Sequence, residues 1–460
     1  MEPKNLPMKT RRSLWCLALL VGALGCQTEN TDYAAVVANP EYYHRSMRAI
    51  TDRIVHDIFS PPVASRIYAY SAIAGYEAMV PSNASYQSLA GQLNGLSPVP
   101  QPSSNWEYSP ELASLQASLL VAQPLVHSGG VLAEYREALM AEIQEASGIP
   151  SRVLENSLAY GTQVADHIKA WMATDGYAET RTFPKYTIRE ETAYWKPTPP
   201  DYMQGIEPHW NEMRPFVLDS ASQFMPPPPT PFSMEEDSPF YAELMEVYTT
   251  GNELDEERTT IAKFWDCNPY VSKHHGHAMY AVKKITPGGH WIGITAIASR
   301  KAGLGFAQTL EAYTRVSIAL NDAFISCWDE KWRSILVRPE TLIAEFIDRE
   351  WRPLLQTPPF PEYTSGHSVI SRAAAITLTE LLGDDFAFHD TTEQAYGLPP
   401  RDFTSFLQAS EEAAISRLYG GIHYMPAIKN GIAQGEQVGK YIIAEINTRV
   451  PEMAATKPED

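Results

Sequence analysis

Three short stretches in the last third of the chain limit its fold more than any other feature: 328-WDEKWRSILVRPE-340, 360-FPEYTSGHS-368 and 416-SRLYGGIHY-424. They carry the cations Lys331, Arg338 and Arg417, the Ser365 hydroxyl, the Gly366 amide and the imidazoles of His367 and His423. Lys331 and Arg338 are seven residues apart, or two helical turns, so the spacing puts them on one helix face, with Trp328 a turn earlier. Pro339 marks a helix boundary just after Arg338. Ser365-Gly366 opens the apolar helical pattern 369-VISRAAAITLTELL-382. It offers a cap hydroxyl, free backbone N–H groups and the positive end of a helix dipole. Arg417 and His423 are six apart, about 600° around an ideal helix. They reach one centre only if the chain turns at Gly420-Gly421.

Each piece has a plain alternative: a solvated helix face for Lys331 and Arg338, a simple N-cap for Ser365, ordinary polar side chains for the histidines. The three in this order and spacing are hard to explain so plainly. Together they suit a tightly bound tetrahedral oxyanion such as phosphate or vanadate.

The trio resembles the signature of the vanadium-dependent haloperoxidases and of the acid and phosphatidic-acid phosphatases in their superfamily: K-x6-RP, then PSGH, then SR-x5-H. Lys331…Arg338-Pro339, Ser365-Gly366-His367 and Ser416-Arg417…His423 fit it, and the likeness covers about 260–435. Thr364 stands where Pro is usual, which should alter only the start of that loop. Ala427 stands where phosphatases keep an Asp that activates the nucleophilic His. Trp328 and Phe360 stand where halide-oxidising members keep a Trp and a Phe. Tyr270, in 264-FWDCNPY-270, adds a likeness to the bacterial iodoperoxidases.

The resemblance implies an all-α fold of two four-helix-bundle-like halves. It implies vanadate as the cofactor, with His423 as axial ligand and Lys331, Arg338, Ser365, Gly366 and Arg417 around the vanadate oxygens. His367 would be the acid–base group, and Trp328, Phe360 and Tyr270 would border the halide. The vanadium would stay V(V) and act as a Lewis acid. Hydrogen peroxide and halide are the implied substrates, with a small organic acceptor beyond them. The expected order is iodide, then bromide, with chloride negligible, because Asn268 stands near where a carboxylate supporting an arginine is expected. Two other readings stay open. One is an acid phosphatase with His423 as nucleophile and His367 as leaving-group acid. The other is a non-enzymatic lipoprotein that binds an anion.

The rest of the chain reads as helix. Segments 40–58, 63–80, 109–123, 130–147, 152–173, 238–250 and 254–266 repeat apolar residues at three and four. A long apolar helical region follows at 291–327, and a last helix is expected over 426–448 from Pro426. The run 177–234 differs, with 197-PTPP-200, 226-PPPPTP-231 and four large aromatics, Trp195, Trp210, Phe216 and Phe224. We read it as an ordered crossover wrapping the bundle. The parts are therefore a leader at 1–25, an N-terminal helical part at 26–250, a C-terminal catalytic part at 251–448 and a tail at 449–460.

The leader has a basic start (Lys4, Lys9, Arg11, Arg12) and a short apolar run, 13-SLWCLALLVGALG-25, too short to span a bilayer comfortably. Ala23-Leu24-Gly25-Cys26 resembles a lipoprotein processing site, so the expectation is an exported protein held to a membrane, in the periplasm or at the cell surface, only by a lipid on Cys26. The formal charge is −19, and loss of the leader's four basic residues and Glu2 takes it to −22. Such a chain is no nucleic-acid binder, and its anion site must be built locally. Cys267 and Cys327 are read as small buried hydrophobes, or as a pair if the fold of an exported chain brings them together. The sequences 274-HHGH-277 and 287-PGGHW-291 invite a metal reading, but no carboxylate stands at ligand spacing, so polar surface is expected there.

Overall fold

The computed structural model describes residues 33–275 and 277–450. The leader, Cys26, the tail beyond 450 and most of 274-HHGH-277 lie outside the described residues or side chains. The chain is 58% helical with 4% strand, so the all-α expectation holds. The helices are α1 (Tyr33–Val37), α2 (Glu41–Asp57), α3 (Pro61–Met79), α4 (Pro110–Ala122), α5 (Gly129–Ser147), α6 (Ser151–Met172) and α7 (Tyr177–Thr180). They continue as α8 (Pro239–Asn252), α9 (Glu256–Phe264), α10 (Pro287–Ala302), α11 (Phe306–Ser334) and α12 (Pro339–Phe346). The last three are α13 (Gly366–Leu382), α14 (Phe406–Tyr419) and α15 (Met425–Glu445). Two antiparallel ribbons complete it, β1 (Ser272–His275) with β2 (Ala278–Ala281), and β3 (Phe388–Asp390) with β4 (Arg401–Phe403). Among the described residues no helix is long and apolar enough to cross a membrane.

Local chemistry sets the helix starts. At Ser60-Pro61, Ser109-Pro110, Ser238-Pro239 and Thr286-Pro287 the hydroxyl accepts from an N–H three residues on, while Pro takes a first-turn place that needs no donor. The expected 291–327 helix is in fact two, α10 and α11. Gly303 takes a left-handed conformation (φ 65°) that ends α10, a position where Gly is cheap.

Helix α11 is the shared wall. It packs against α3 on one side and α13 on the other, with α4 and α6 behind α3, and α14 and α15 behind α13. The main core therefore runs continuously from Val37 to Ile446. Helices α13 and α15 approach closely because Gly435 faces the Val369 carbonyl, where a Cβ would lie 2.1 Å from the oxygen.

The crossover is ordered, and Trp195, Trp210 and Phe216 are fully buried. One carboxylate on α11 holds much of it: Asp322 Oδ1 accepts from Phe216 N–H (2.8 Å), and Oδ2 accepts from Val217 N–H (2.8 Å) and Leu218 N–H (3.1 Å). At the other end, Arg449 ion-pairs with buried Glu311 (2.5 Å) and Val450 N–H donates to Ser85 O (3.1 Å). These two residues, read from sequence as tail, are thus held to the body.

Replacing Asp322 by Ala would strand three buried donors, each costing about 1–3 kcal/mol when unsatisfied. We expect urea unfolding to show a loss of at least about 3 kcal/mol; an unchanged midpoint would refute this account of the crossover.

Candidate functional site

The three sequence cations meet, but not along one helix. Helix α11 ends at Ser334, Ile335 turns left-handed (φ 50°), and Arg338 is the extended N-cap of α12. The seven-residue helical spacing of Lys331 and Arg338 is therefore not what joins them. Phe360 joins them: Lys331 Nζ and Arg338 Cζ each lie 5.1 Å from its ring centroid. Pro339 does open the next helix, as read from sequence.

All three cations are buried, and backbone carbonyls hold them. Lys331 Nζ donates to Pro361 O (3.0 Å), Glu362 O (3.0 Å) and Thr364 O (2.5 Å). Arg338 donates through Nε to Phe360 O (2.9 Å) and through Nη1 to Ile422 O (2.8 Å). Arg417 Nη2 donates to Trp265 O (2.7 Å). Burial lowers Lys331 to about 7 and both arginines to about 10. Among the described residues, Arg338 Nη2 is buried with no hydrogen-bond partner.

The chain turns between Arg417 and His423 as the two glycines suggested, with Gly421 at φ 74°. Arg338 Nη1 lies 3.1 Å from His423 Nε2, and an arginine can only donate, so Nε2 is the acceptor. The proton therefore sits on Nδ1, which donates to Glu362 Oε1 at 2.7 Å. Burial and then the Arg338 charge hold the imidazole well below its usual pKa, so it stays neutral with a lone pair on Nε2. Burial, then Arg417, does the same for His367. Its ring bonds to the Trp265 carbonyl, and its Nε2 has no partner among the described residues.

A small cavity of about 30 Å³ opens onto this cluster. Seven of the predicted residues line it: Trp328, Phe360, Gly366, His367, Arg417, His423 and Tyr270. Lys331, Arg338 and Ser365 stand behind that lining. Ser365 caps α13, accepting from Ser368 N–H (3.3 Å), and bonds the Ser368 hydroxyl (2.8 Å). The Trp328 and Phe360 ring centroids are 5.0 Å apart, forming one apolar wall. The group that would complete the cluster is an oxyanion: a neutral imidazole whose Nε2 is held only by an exchangeable Arg338 N–H, buried cations and an unpartnered guanidinium N–H suit vanadate.

A family model described as the VCPO second helical-bundle domain matches residues 346–451. The first bacterial vanadium-dependent iodoperoxidase structure is 51% identical, with a TM-score of 0.85 over 90% of this chain and 98% of its own. The chain belongs to the vanadium-dependent haloperoxidases. A holo-type bacterial vanadium-dependent chloroperoxidase shares the fold at 17% identity, with a TM-score of 0.63 over 85% of this chain and 93% of its own. No curated protein matches the chain.

This haloperoxidase holds residues that the sequence reading missed. Glu362 is fully buried, accepts from both His423 Nδ1 and Tyr424 N–H (3.0 Å), and is pushed up to about 7 by burial. It sits inside the FPEYTSGH stretch but carries no signature of its own. Thr364 does more than shape the start of the loop: its hydroxyl donates to Gln434 Oε1 (2.7 Å), tying the loop to α15. Asn268 supports no arginine directly, since its amide donates to Gln356 O (3.2 Å). The carboxylate whose charge acts on Arg417 is Asp266, itself ion-paired with Lys284. His290 of the GGHW motif is fully buried, not surface. Cys267 and Cys327 are free and buried, as expected.

Lys331 and Glu362 both lose a proton near pH 7, so the site becomes less positive as pH rises through that value. His423 and His367, held neutral, add no opposing change. Sulfate, whose own charge is constant here, should bind best below about pH 7 and progressively less above it. Glu362→Gln should make that decline shallower. Calorimetric titrations at fixed ionic strength test this, and an affinity that climbs with pH would contradict it.

Proposed function

We propose that this chain is a vanadate-dependent haloperoxidase that oxidises halide with hydrogen peroxide, iodide ahead of bromide. The observation that carries it is His423: a neutral imidazole, oriented by Glu362, whose Nε2 reaches a cavity lined also by Arg417 and accepts there from Arg338, an N–H that vanadate would displace from the lone pair. That atom is the axial ligand in this reading. Bound there, vanadate would supply a Lewis acid that activates peroxide toward halide. Arg417 and the Gly366 amide, which line the cavity, would hold the vanadate oxygens, joined by the unpartnered Nη2 of Arg338 behind the lining once vanadate displaces its contact with His423. Lys331 and Ser365, with their groups committed within the protein, would contribute charge and loop shape instead. His367, held neutral and with Nε2 unpartnered among the described residues, would accept a proton from hydrogen peroxide in this reading. Trp328, Phe360 and Tyr270 would shed water from a large, polarizable anion, which favours iodide over the more strongly hydrated chloride.

Ala427 lacks the carboxylate that would activate a nucleophilic histidine, yet Glu362 delivers one to the same nitrogen. The contrast at Ala427 therefore does not separate the two chemistries. What favours the haloperoxidase is the 51% identity to an iodoperoxidase, with the aromatic wall beside the site.

The test is reconstitution. Stripped protein should oxidise iodide strongly and bromide weakly only after orthovanadate is added, with phosphate competing for the site. His423→Ala should lose most of its vanadium, read by elemental analysis. Rapid p-nitrophenyl phosphate hydrolysis with no vanadate-dependent peroxidase activity would establish the phosphatase instead.

We further propose export and anchoring through a lipid on Cys26, supported by the basic start, the short apolar run and the Leu-Gly-Cys sequence. Labelled fatty acid should enter the wild type but not Cys26→Ser; equal labelling would refute it.

A further inference from the structure

A second cluster, which borders the oxyanion cavity through Cys267 alone, has the composition and spacing of a metal centre. Cys267 follows α9, His290 lies in the first turn of α10, and Glu393 lies in the short 3₁₀ turn at 392–396. All three side chains are buried. Their ligand atoms form a triangle: Cys267 Sγ to His290 Nδ1 3.5 Å, Cys267 Sγ to Glu393 Oε1 3.8 Å, and His290 Nδ1 to Glu393 Oε1 3.2 Å.

Those lengths leave room for one shared ion. Zinc bonds of about 2.3 Å to sulfur and about 2.0–2.2 Å to nitrogen and oxygen, at tetrahedral angles, give ligand-to-ligand edges of about 3.4–3.6 Å. Each observed edge is within a few tenths of that. The 3.2 Å edge also lies at the long end of an N–H···O hydrogen bond, so it fits a bound ion and a direct bond alike. The other ring nitrogen adds a second sign. His290 Nε2 lies 2.8 Å from Asp390 Oδ2, and Asp390 is fully buried. A carboxylate behind a histidine, fixing its tautomer and freeing the opposite nitrogen, is the usual outer support of a metal-ligating imidazole.

We propose that Cys267, His290 and Glu393 bind one zinc-class divalent cation, with Asp390 orienting His290. Three protein ligands leave one tetrahedral position for water. The mixed sulfur, nitrogen and oxygen donors suit zinc, or cobalt in its place, and disfavour magnesium and calcium. The cation would clasp three segments remote in sequence. Between them lies Trp265, whose ring stacks on His290 at 4.5 Å and whose carbonyl holds Arg417. The site would thus brace one side of the oxyanion cradle. It would also keep Cys267, which borders the cavity, as a bound thiolate instead of a free thiol. None of this depends on the reading of the oxyanion site.

The experiment uses the whole protein, stripped with a chelator and titrated with Zn²⁺ or Co²⁺, without vanadate. We expect one equivalent bound, and with cobalt a near-ultraviolet thiolate-to-metal band. Cys267→Ala should abolish the band. Asp390→Asn should keep it but weaken binding about 10–100-fold. If Cys267→Ala fails to fold, the wild-type titration and Asp390→Asn still decide. No tight equivalent of metal in the wild type, a cobalt spectrum lacking the thiolate band, or a band surviving in Cys267→Ala would each overturn the proposal and leave a hydrogen-bonded cluster.

Discussion

Three buried cations held by backbone carbonyls are the constraint on which the rest of the site depends. A buried ammonium or guanidinium costs several kcal/mol unless something answers its charge. Lys331, Arg338 and Arg417 are answered mainly by dipoles: carbonyls from 360–364, Ile422 and Trp265. Carbonyls orient a cation and satisfy its N–H groups, but they carry no net charge. The local field stays positive, in a chain whose overall charge is −19. An oxyanion entering the cavity gains from that field with little reorganisation, because the donors are already fixed. The acidic exterior repels anions in general, so the selectivity lies in this buried pocket.

Glu362 sets how positive the site is. It is the carboxylate in direct hydrogen-bond contact with the histidine, and its pKa is pushed up to about 7 by burial. Its charge thus answers to small environmental changes. Through His423 it also reaches Arg338, so one run of hydrogen bonds, carboxylate to imidazole to guanidinium, fixes the tautomer and turns Nε2 toward Arg338. Removing either end would free the ring to take the other tautomer.

What the sequence disclosed follows from how local each signal is. The helices with strong periodicity were legible to within two or three residues: 63–80 was expected and Pro61–Met79 is found, 130–147 against Gly129–Ser147. The burial of Trp195, Trp210 and Phe216 in the crossover was also legible, because free linkers rarely carry so many aromatics, while Phe224 is only partly buried. The break at Gly303 was missed because apolar periodicity continues on both sides of it. The route from Lys331 to Arg338 was misread because a seven-residue spacing fits a helix, and only the left-handed Ile335 reveals the turn. Of the site, the signature residues could be read and their partners could not. Glu362 and Asp266 act through contacts that have no fixed spacing. Cys267, His290 and Glu393 are separated by 23 and then 103 residues, so no spacing rule could have joined them. The carboxylates at His290, Asp390 and Glu393, come from 100 and 103 residues further on, beyond any ligand spacing.

The working groups sit where helices end, and this has a physical basis. A helix interior uses up its own N–H and C=O groups, whereas each terminus leaves several free. Arg417 binds carbonyls at the C-terminal end of α9, Ala262 O (3.4 Å) and Trp265 O (2.7 Å), where the dipole is negative and favours a cation. Gly366 opens α13 at the cavity, where the dipole is positive and free amides favour an anion. Opposite dipole ends thus meet across one small space, the first fixing a guanidinium and the second left open for an oxyanion. That arrangement needs the ends of α9 and α13 held firmly in register. Close packing at Gly435 does this for α13, and the Cys267–His290–Glu393 triangle is placed to do it for the segment that follows α9.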